Sequence, residues 1–276
     1  MQPTDFSYLY ELENSFWWFT GMREITAALL DPFLRPVDIN RSILDAGCGT
    51  GGMMSWLARY AGRGSVAGID LSPDALSFCQ QSGHATIAQA SVACLPFPDS
   101  TFDLVTSFDV LVQLPGKDLD DLALSEMWRV LKPGGIAFVR AAAYEWMKSS
   151  HDTALATQHR YSLNELTGSV EGAGFKVLRT THANTLLMPL AVFQRQVLKR
   201  IGVGSGSDVK PLAALLGWLN PLFTTVLQTE AAWLKRGNRK LGFGLSAICV
   251  AQKPASIQPS NSQMDLETAR RSSILS

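Results

Sequence analysis

The chain has no surplus of charge: its 24 basic and 24 acidic residues cancel over 276 positions. That removes the global field that draws proteins to nucleic acid or anionic lipid, so no nucleic-acid partner is expected. Cysteine is scarce. Cys48, Cys79, Cys94 and Cys249 form no C-x-x-C pair and show no metal-ligand spacing. They read as reduced thiols of a cytoplasmic protein that holds no metal. The opening stretch "MQPTDFSYLYELENSF" carries an early acid and no basic-then-apolar order, so no secretory signal is expected. There is no internal repeat. What the chain does have is apolar mass: 46% of it is hydrophobic and 17% charged, enough for a substantial core in one generous domain, or a domain with an insertion.

Short β-type runs alternate with helical patterns, which predicts an α/β fold with a doubly wound sheet. The strands are expected at Ser42–Asp45, Ser65–Asp70, Ala85–Gln89, Phe102–Phe108, Ile136–Ala141, Phe175–Thr180 and Leu245–Ala251. Helices are expected at Met53–Tyr60, Pro73–Gln81, Leu119–Leu131 and Leu163–Ala173. Ser72 followed by Pro73 is an N-cap with proline at the first helical position. The run Lys132-Pro133-Gly134-Gly135 reads as the stop of one helix and a turn into the next strand. Ahead of the sheet, residues 1–35 read as an aromatic-rich helical cap. Past Pro254 the composition turns to Ser, Gln, Pro and Asn, so residues 254–276 read as a disordered tail.

One interval breaks the rhythm. About 63 positions, 182–244, separate the last two strands where a hairpin needs only a few. They hold two apolar helical stretches, Leu186–Ile201 and Pro211–Lys235, joined by "GVGSGSD". A helical lid over an apolar substrate is the expectation, with contact to a membrane surface or a second copy as the alternatives.

The segment "ILDAGCGTGG" at 43–52 places Gly47, Gly49 and Gly52 in G-x-G-x-x-G order after a strand. This spacing serves dinucleotides and other adenosine ligands alike. Asp45, two residues before Gly47, would repel a pyrophosphate on the following helix N-terminus. S-adenosylmethionine (SAM) has no phosphate and carries an ammonium and a sulfonium, which an acid there favours. Asp70 closes the second strand, where a carboxylate can accept hydrogen bonds from both ribose hydroxyls. By position alone Asp70 suits NAD as well as SAM, so Asp45 carries the discrimination.

Four ordered segments, "ILDAGCGTGG", "VAGIDLSPDAL", "LPFPDSTFDLVTSFDVLVQLP" and "MWRVLKPGG", resemble the signature segments of class I SAM-dependent methyltransferases. They are most similar to the small-molecule branch that includes ubiquinone and menaquinone methylases. The resemblance implies a Rossmann-like sheet of order 3-2-1-4-5-7-6 with the last strand antiparallel. It places Gly47, Gly49 and Gly51 along the methionine part with Asp45 near its amine. It puts Asp70 on the ribose, Leu71 on the adenine, and Phe108 under the sulfonium region. Where relatives commonly have Gly-Asp-Ala before "LPF", this chain has Ala90-Ser91-Val92. Ser91 and the Val92 N–H can still meet the adenine, more weakly than a carboxylate would. Val112-Gln113 stands where relatives often have Glu-His, which removes a candidate base.

Methyl transfer needs alignment and water exclusion more than covalent help, and a base only where the acceptor must lose a proton. The segment after the fifth strand, "RAAAYEWMKSSHDTALATQHRYSLNEL", is rich in polar groups. It resembles an "HD … H-x-RRY" pattern in bacterial methyltransferases found beside glycan or lipid biosynthesis. His151 and then Tyr144 are the candidate bases, with His159 less secure because relatives have Arg there. In "FWWFTGMR", Trp18 is a candidate cover for the sulfonium and Arg23 a partner for the methionine carboxylate. The expected function is methyl transfer to a small, apolar or lipid- or glycan-linked acceptor. The alternatives are a non-catalytic SAM-binding regulatory module and, last, an NAD-dependent oxidoreductase. The expected layout is a SAM-binding domain formed by 36–181 and 245–253.

Overall fold

The computed structural model describes residues 3–34, 39–149, 152, 155–193 and 219–255. Its centre is a seven-stranded sheet of order β3-β2-β1-β4-β5-β7-β6. The strands are β1 Ser42–Ala46, β2 Ser65–Asp70, β3 Ile87–Gln89, β4 Phe102–Phe108, β5 Leu131–Ala142, β6 Lys176–Ala183 and β7 Ser246–Gln252. Strands β1 to β5 pair in parallel, and β7 runs antiparallel to both β5 and β6. This is the order, with the antiparallel closing strand, that the resemblance implies.

The parallel strands are buried on both faces and therefore read as near-continuous apolar runs. Leu44, Val105 and Val139 point into one core with Leu124, Met127 and Leu166. Their neighbours Ile43, Leu104 and Phe138 point into the other, with Leu29, Leu57 and Leu227. Helices α1 Pro3–Leu12, α2 Trp17–Leu34, α3 Gly52–Ala61, α4 Pro73–Gln81, α5 Lys117–Val130 and α6 Leu163–Gly172 complete the described body, with α7 Met188–Phe193 and α8 Asn220–Lys235 in the insertion. Ser72 caps α4 by accepting from the Ala75 N–H at 3.3 Å, with Pro73 inside the first turn. Ser162 and Glu165 form a reciprocal capping box on α6.

Two strands run longer than their local sequence indicates. The Lys132–Gly135 run continues β5 instead of turning before it: Gly134 N–H donates to Lys253 O at 2.8 Å and Lys253 N–H to Gly135 O at 3.0 Å. Against β4 the run is a bulge: Phe102 faces Leu131 and Leu104 faces Ile136, so Lys132–Gly135 has no β4 partner, and Gly134 has φ +82°. β6 continues to Ala183 because β7 supplies partners, His182 opposite Ala247 and Ala183 opposite Ser246. In both cases pairing partners distant in sequence set the strand's length.

Within 182–244, α8 lies along α2. A Cβ on Gly21 would sit 2.4 Å from Leu227 Cδ1, so the two helices approach at a position where only a hydrogen fits. Asn220 ties the same pair, accepting from Trp17 N–H at 2.7 Å and donating to Ser15 O at 2.9 Å. The buried Glu230 accepts from the N–H groups of Asn184 and Leu186 at 2.8 and 2.7 Å, fixing the exit from β6. The rest of the two expected helical stretches, the "GVGSGSD" joint, His151 and residues 256–276 lie outside the described residues.

Candidate active site

The C-terminal edge of β1 opens into a loop that two backbone hydrogen bonds fold back on β2: Gly47 and Cys48 N–H both donate to Ile69 O, at 2.9 and 2.8 Å. Gly47 has φ +92°, and a Cβ there would lie 2.2 Å from Val110. Gly51 has φ +94°, with His84 2.9 Å from its would-be Cβ. Glycine is required at both positions, for conformation and for space.

Asp70, at the end of β2, accepts from Gly49 N–H at 2.9 Å through one oxygen and from Ser72 N–H at 2.9 Å through the other. The carboxylate thus holds the loop and keeps lone pairs on both oxygens for a ligand. Beside it Leu71 is 69% exposed on the rim of a cavity of about 550 Å³ that Ala90, Ser91 and Val92 also line. An apolar side chain exposed at a pocket mouth is a platform for a flat ligand. The Ser91 hydroxyl accepts from Ala93 N–H at 3.2 Å.

Asp45 is buried on the same side and accepts from Thr106 Oγ1 at 2.8 Å. Burial pushes its carboxyl up to about 7, against the lowering effects of the Thr106 hydroxyl and Arg140. A cationic ligand group beside it would restore the carboxylate.

The cavity is roofed by the N-terminal helices, with Phe6 and Leu9 from α1 and Trp18, Phe19, Met22 and Arg23 from α2. Glu13, in the α1–α2 link, reaches the start of α3. It accepts from Thr50 Oγ1 at 2.6 Å and Gly52 N–H at 3.2 Å, and burial raises its carboxyl. Arg23 donates through Nη2 to Gly52 O at 3.0 Å, while its Nε is buried without a partner among the described residues. Burial lowers the Arg23 guanidinium, and an anion at this end of the cavity would satisfy its orphaned donor.

At the opposite end, Phe108 closes β4 in register with Arg140 on β5. Their shared face also carries Thr106 and, across β1, Asp45. Arg140 is 5% exposed. Asp109 Oδ2 receives its Nε at 2.9 Å and its Nη2 at 2.7 Å. The Trp18 and Phe108 ring centres lie 4.9 and 5.0 Å from the guanidinium carbon.

Tyr144 and His159 lie away from this cavity's lining. Tyr144 Oη meets His182 Nε2 at 3.1 Å, with the two rings stacked and Trp146 on the far side. His159 lines a second cavity of about 270 Å³ with Asp120 and Tyr161, and its Nε2 is 3.3 Å from Asp120 Oδ2. Burial raises the Asp120 carboxyl. The neighbouring Asp152 is spent on structure: it pairs with buried Arg160 at 2.7 Å, and Arg160 also donates to Ala143 O at 3.0 Å. Among the described residues of 182–244 none lines the main cavity.

Sequence reasoning missed Glu13, Thr106 and Arg140. For Arg140 a signal existed, a lone charge inside the apolar strand "IAFVRAAA". Glu13 had none, because its partner Thr50 is 37 positions away and adjacent only in the fold.

A methyltransferase-domain family model matches residues 44–139, the span from β1 to β5. The malonyl-[acyl-carrier protein] O-methyltransferase of Salmonella typhimurium is 33% identical over 186 residues, covering 63% of this chain and 71% of that enzyme. The fatty-acid O-methyltransferase of Mycolicibacterium smegmatis is 32% identical over 132 residues, 45% of this chain and 47% of the relative. The chain spans about half the length of the first curated relatives it matches. A chain from the complex between the Haloferax volcanii Trm112 methyltransferase activator and a methyltransferase has the same fold, at a TM-score of 0.59 and 20% identity over 93% of this chain and 97% of that one. These matches, with the sheet order and the glycine loop, define the class: this chain belongs to the class I SAM-dependent methyltransferases. SAM is the cofactor of this class, and Asp45, Asp70, Leu71 and Arg23 all line the one main cavity.

Proposed function

We propose that the protein transfers the methyl group of SAM to a small acceptor in the cavity beneath α1 and α2. SAM supplies an activated methyl on a sulfonium. The chain's part is to hold it with Asp70, Leu71 and the Gly47–Gly51 loop, to position its methionine end with Asp45 and Arg23, and to exclude water beneath the Phe6–Trp18 roof. The observation that carries this reading is the convergence of Asp70, Asp45 and Arg23 on one cavity. We assign the acceptor an apolar body, supported by the Phe6, Leu9, Phe19, Met22 and Leu114 walls and by the fatty-acid substrate in one relative's name.

The test is incubation with labelled SAM and an organic extract of cells, followed by identification of the labelled product. Transfer of label to a small molecule supports the enzyme; SAM binding with no transfer favours the regulatory module. Stabilisation by NAD and not by SAM would favour the oxidoreductase.

We further assign the 182–244 segment a contact role toward a membrane surface or a second copy, on the strength of exposed Leu186, Leu190 and Phe193. Among the described residues no helix is long and apolar enough to cross a membrane. Flotation with anionic vesicles and sedimentation separate these two partners, and failure of both removes the assignment.

A further inference from the structure

We propose that Arg140 holds an anionic acceptor, and that the atom methylated is a carboxylate oxygen, so that the product is a methyl ester. This rests on the methyl-transfer reading above and names its substrate class.

Arg140 is a buried cation between the apolar positions Val139 and Ala141 of β5. A buried guanidinium is costly to place unless paired, so its retention calls for a partner. Asp109 supplies half of one. Both contacts, from Nε and Nη2, converge on the single oxygen Oδ2. Among the described residues no acceptor meets Nη1, and Arg140 lines the main cavity. An edge of the planar fork therefore remains for a ligand, and a carboxylate is the group that matches it.

The setting keeps that fork in one orientation. Asp109 adopts φ +59° and donates its own N–H to Arg140 O at 2.9 Å, so the acid and the base grip each other through backbone and side chain together. A non-glycine residue in that region marks a position the surroundings over-determine. Trp18 and Phe108, with ring centres about 5 Å from the guanidinium carbon, restrict it further.

The cavity has a second cation, and its place separates the two duties. Arg23, on α2, reaches the start of α3 and is bonded to Gly52 O, beside the loop that would carry the methionine part. Arg140 sits two strands over from β1, across β4. SAM has one carboxylate and Arg23 is positioned for it, which leaves Arg140 for the acceptor.

The described lining of the cavity agrees. Among the described residues lining the cavity there is no histidine, lysine or tyrosine. The lining carboxylates have other duties: Glu13 accepts from Thr50 and Gly52, and Asp45 and Asp70 are the groups assigned to SAM. An alcohol or phenol would have to lose a proton near neutral pH, whereas a carboxylic acid is already ionised. In the step, a carboxylate lone pair forms the new O–C bond while the methyl C–S bond breaks. The C–S electron pair stays on sulfur as a neutral thioether, and no proton moves. A negative oxygen and a positive sulfur are both neutralised, which a dry cavity favours over water.

The experiment uses the full chain, SAM labelled in the methyl group, and a panel of straight-chain carboxylic acids of four to sixteen carbons. The expected result is label on at least one acid that mild alkali releases as volatile methanol, the signature of an ester. With an organic extract of cells added to the same panel, label that passes only to extract components and resists alkali overturns the proposal while leaving methyl transfer intact. Failure of SAM to bind at all counts against the underlying reading instead.

Arg140→Gln should lower ester formation by about 100-fold, on the scale of a lost charge-assisted contact, with SAM affinity by calorimetry within about threefold. A loss of SAM affinity beyond about tenfold would assign Arg140 to the methionine carboxylate and overturn the proposal, as would undiminished turnover. Arg140→Lys keeps the charge without the fork, and should recover turnover with a raised KM for the acid. Because the alkali test uses the unaltered protein, the conclusion does not hang on the variants folding.

Discussion

The two ends of the main cavity are built from different materials. At the β1–β2 end the lining comes mostly from one short loop, Gly47, Cys48, Gly49 and Thr50, held by N–H bonds to Ile69 O and to the Asp70 carboxylate. At the β4–β5 end it is made of side chains brought together from afar. Trp18 comes from α2, Phe108 and Asp109 from the end of β4, and Arg140 from β5. A loop made of backbone demands particular residues in a short stretch, so it leaves a compact signature. A pocket made of side chains distributes its requirement over the chain and leaves almost none.

The segment behind the β4–β5 end is expected to matter for stability and not for SAM. Asp152→Ala leaves Arg160 buried and uncompensated, and should cost about 3 kcal/mol or more in thermal unfolding with SAM affinity unchanged. A parallel loss of SAM affinity would show that the two ends are not separable. Asp70→Ala acts at the β1–β2 end. It removes charge-assisted bonds worth about 1.5 kcal/mol or more each, two of which hold the loop, so SAM affinity should fall about 100-fold by calorimetry and Tm should drop with it. Retained affinity removes the ribose role.

Gly21→Ala probes the roof. A methyl 2.4 Å from Leu227 must push α8 off α2, at about 1–3 kcal/mol for overpacking. The roof being common to both ends, SAM affinity and turnover should drop together, and an unchanged Tm would show that the helices yield freely.

The smallest effect is a proton. The Asp45 carboxyl is raised to about 7 by burial, so its folded pKa lies above its unfolded one. Its contribution to stability is present at pH below about 4 and is lost as pH rises through 7. A ligand ammonium would pull that pKa down, so SAM binding near pH 6 should release a fraction of a proton, read from calorimetry in buffers of different ionisation enthalpy. Asp45→Asn should abolish the release, and a wild-type protein without it would move the ammonium elsewhere.

Much of this molecule was legible in the linear chain, for identifiable reasons. The strand before the loop, the N-cap at Ser72-Pro73 and the helix at Pro73–Gln81 depend on neighbours in sequence, and the sheet order followed from a resemblance carried by four consecutive segments. The extra length of β5 and β6 did not show, because partners distant in sequence decide it: Phe102 and Lys253 for the start of β5, and β7 for the end of β6. Tyr144 and His159 read as chemistry because the polar run around them is dense. Their partners are His182, which is 38 positions from Tyr144, and Asp120. Neither pairing can be read from spacing.

By itself the sequence determined the alternating α/β framework, the glycine loop and the acids at the ends of the first two strands. Each is a local demand of backbone conformation or charge, written within a few residues. The tertiary structure alone decided that α1 and α2 roof the cavity, that Glu13 closes on the start of α3, and that Arg140 turns its open edge inward between Trp18 and Phe108. Those are contacts between residues from about 30 to more than 120 positions apart. Burial and packing select them only once the sheet has brought its strand ends to one edge.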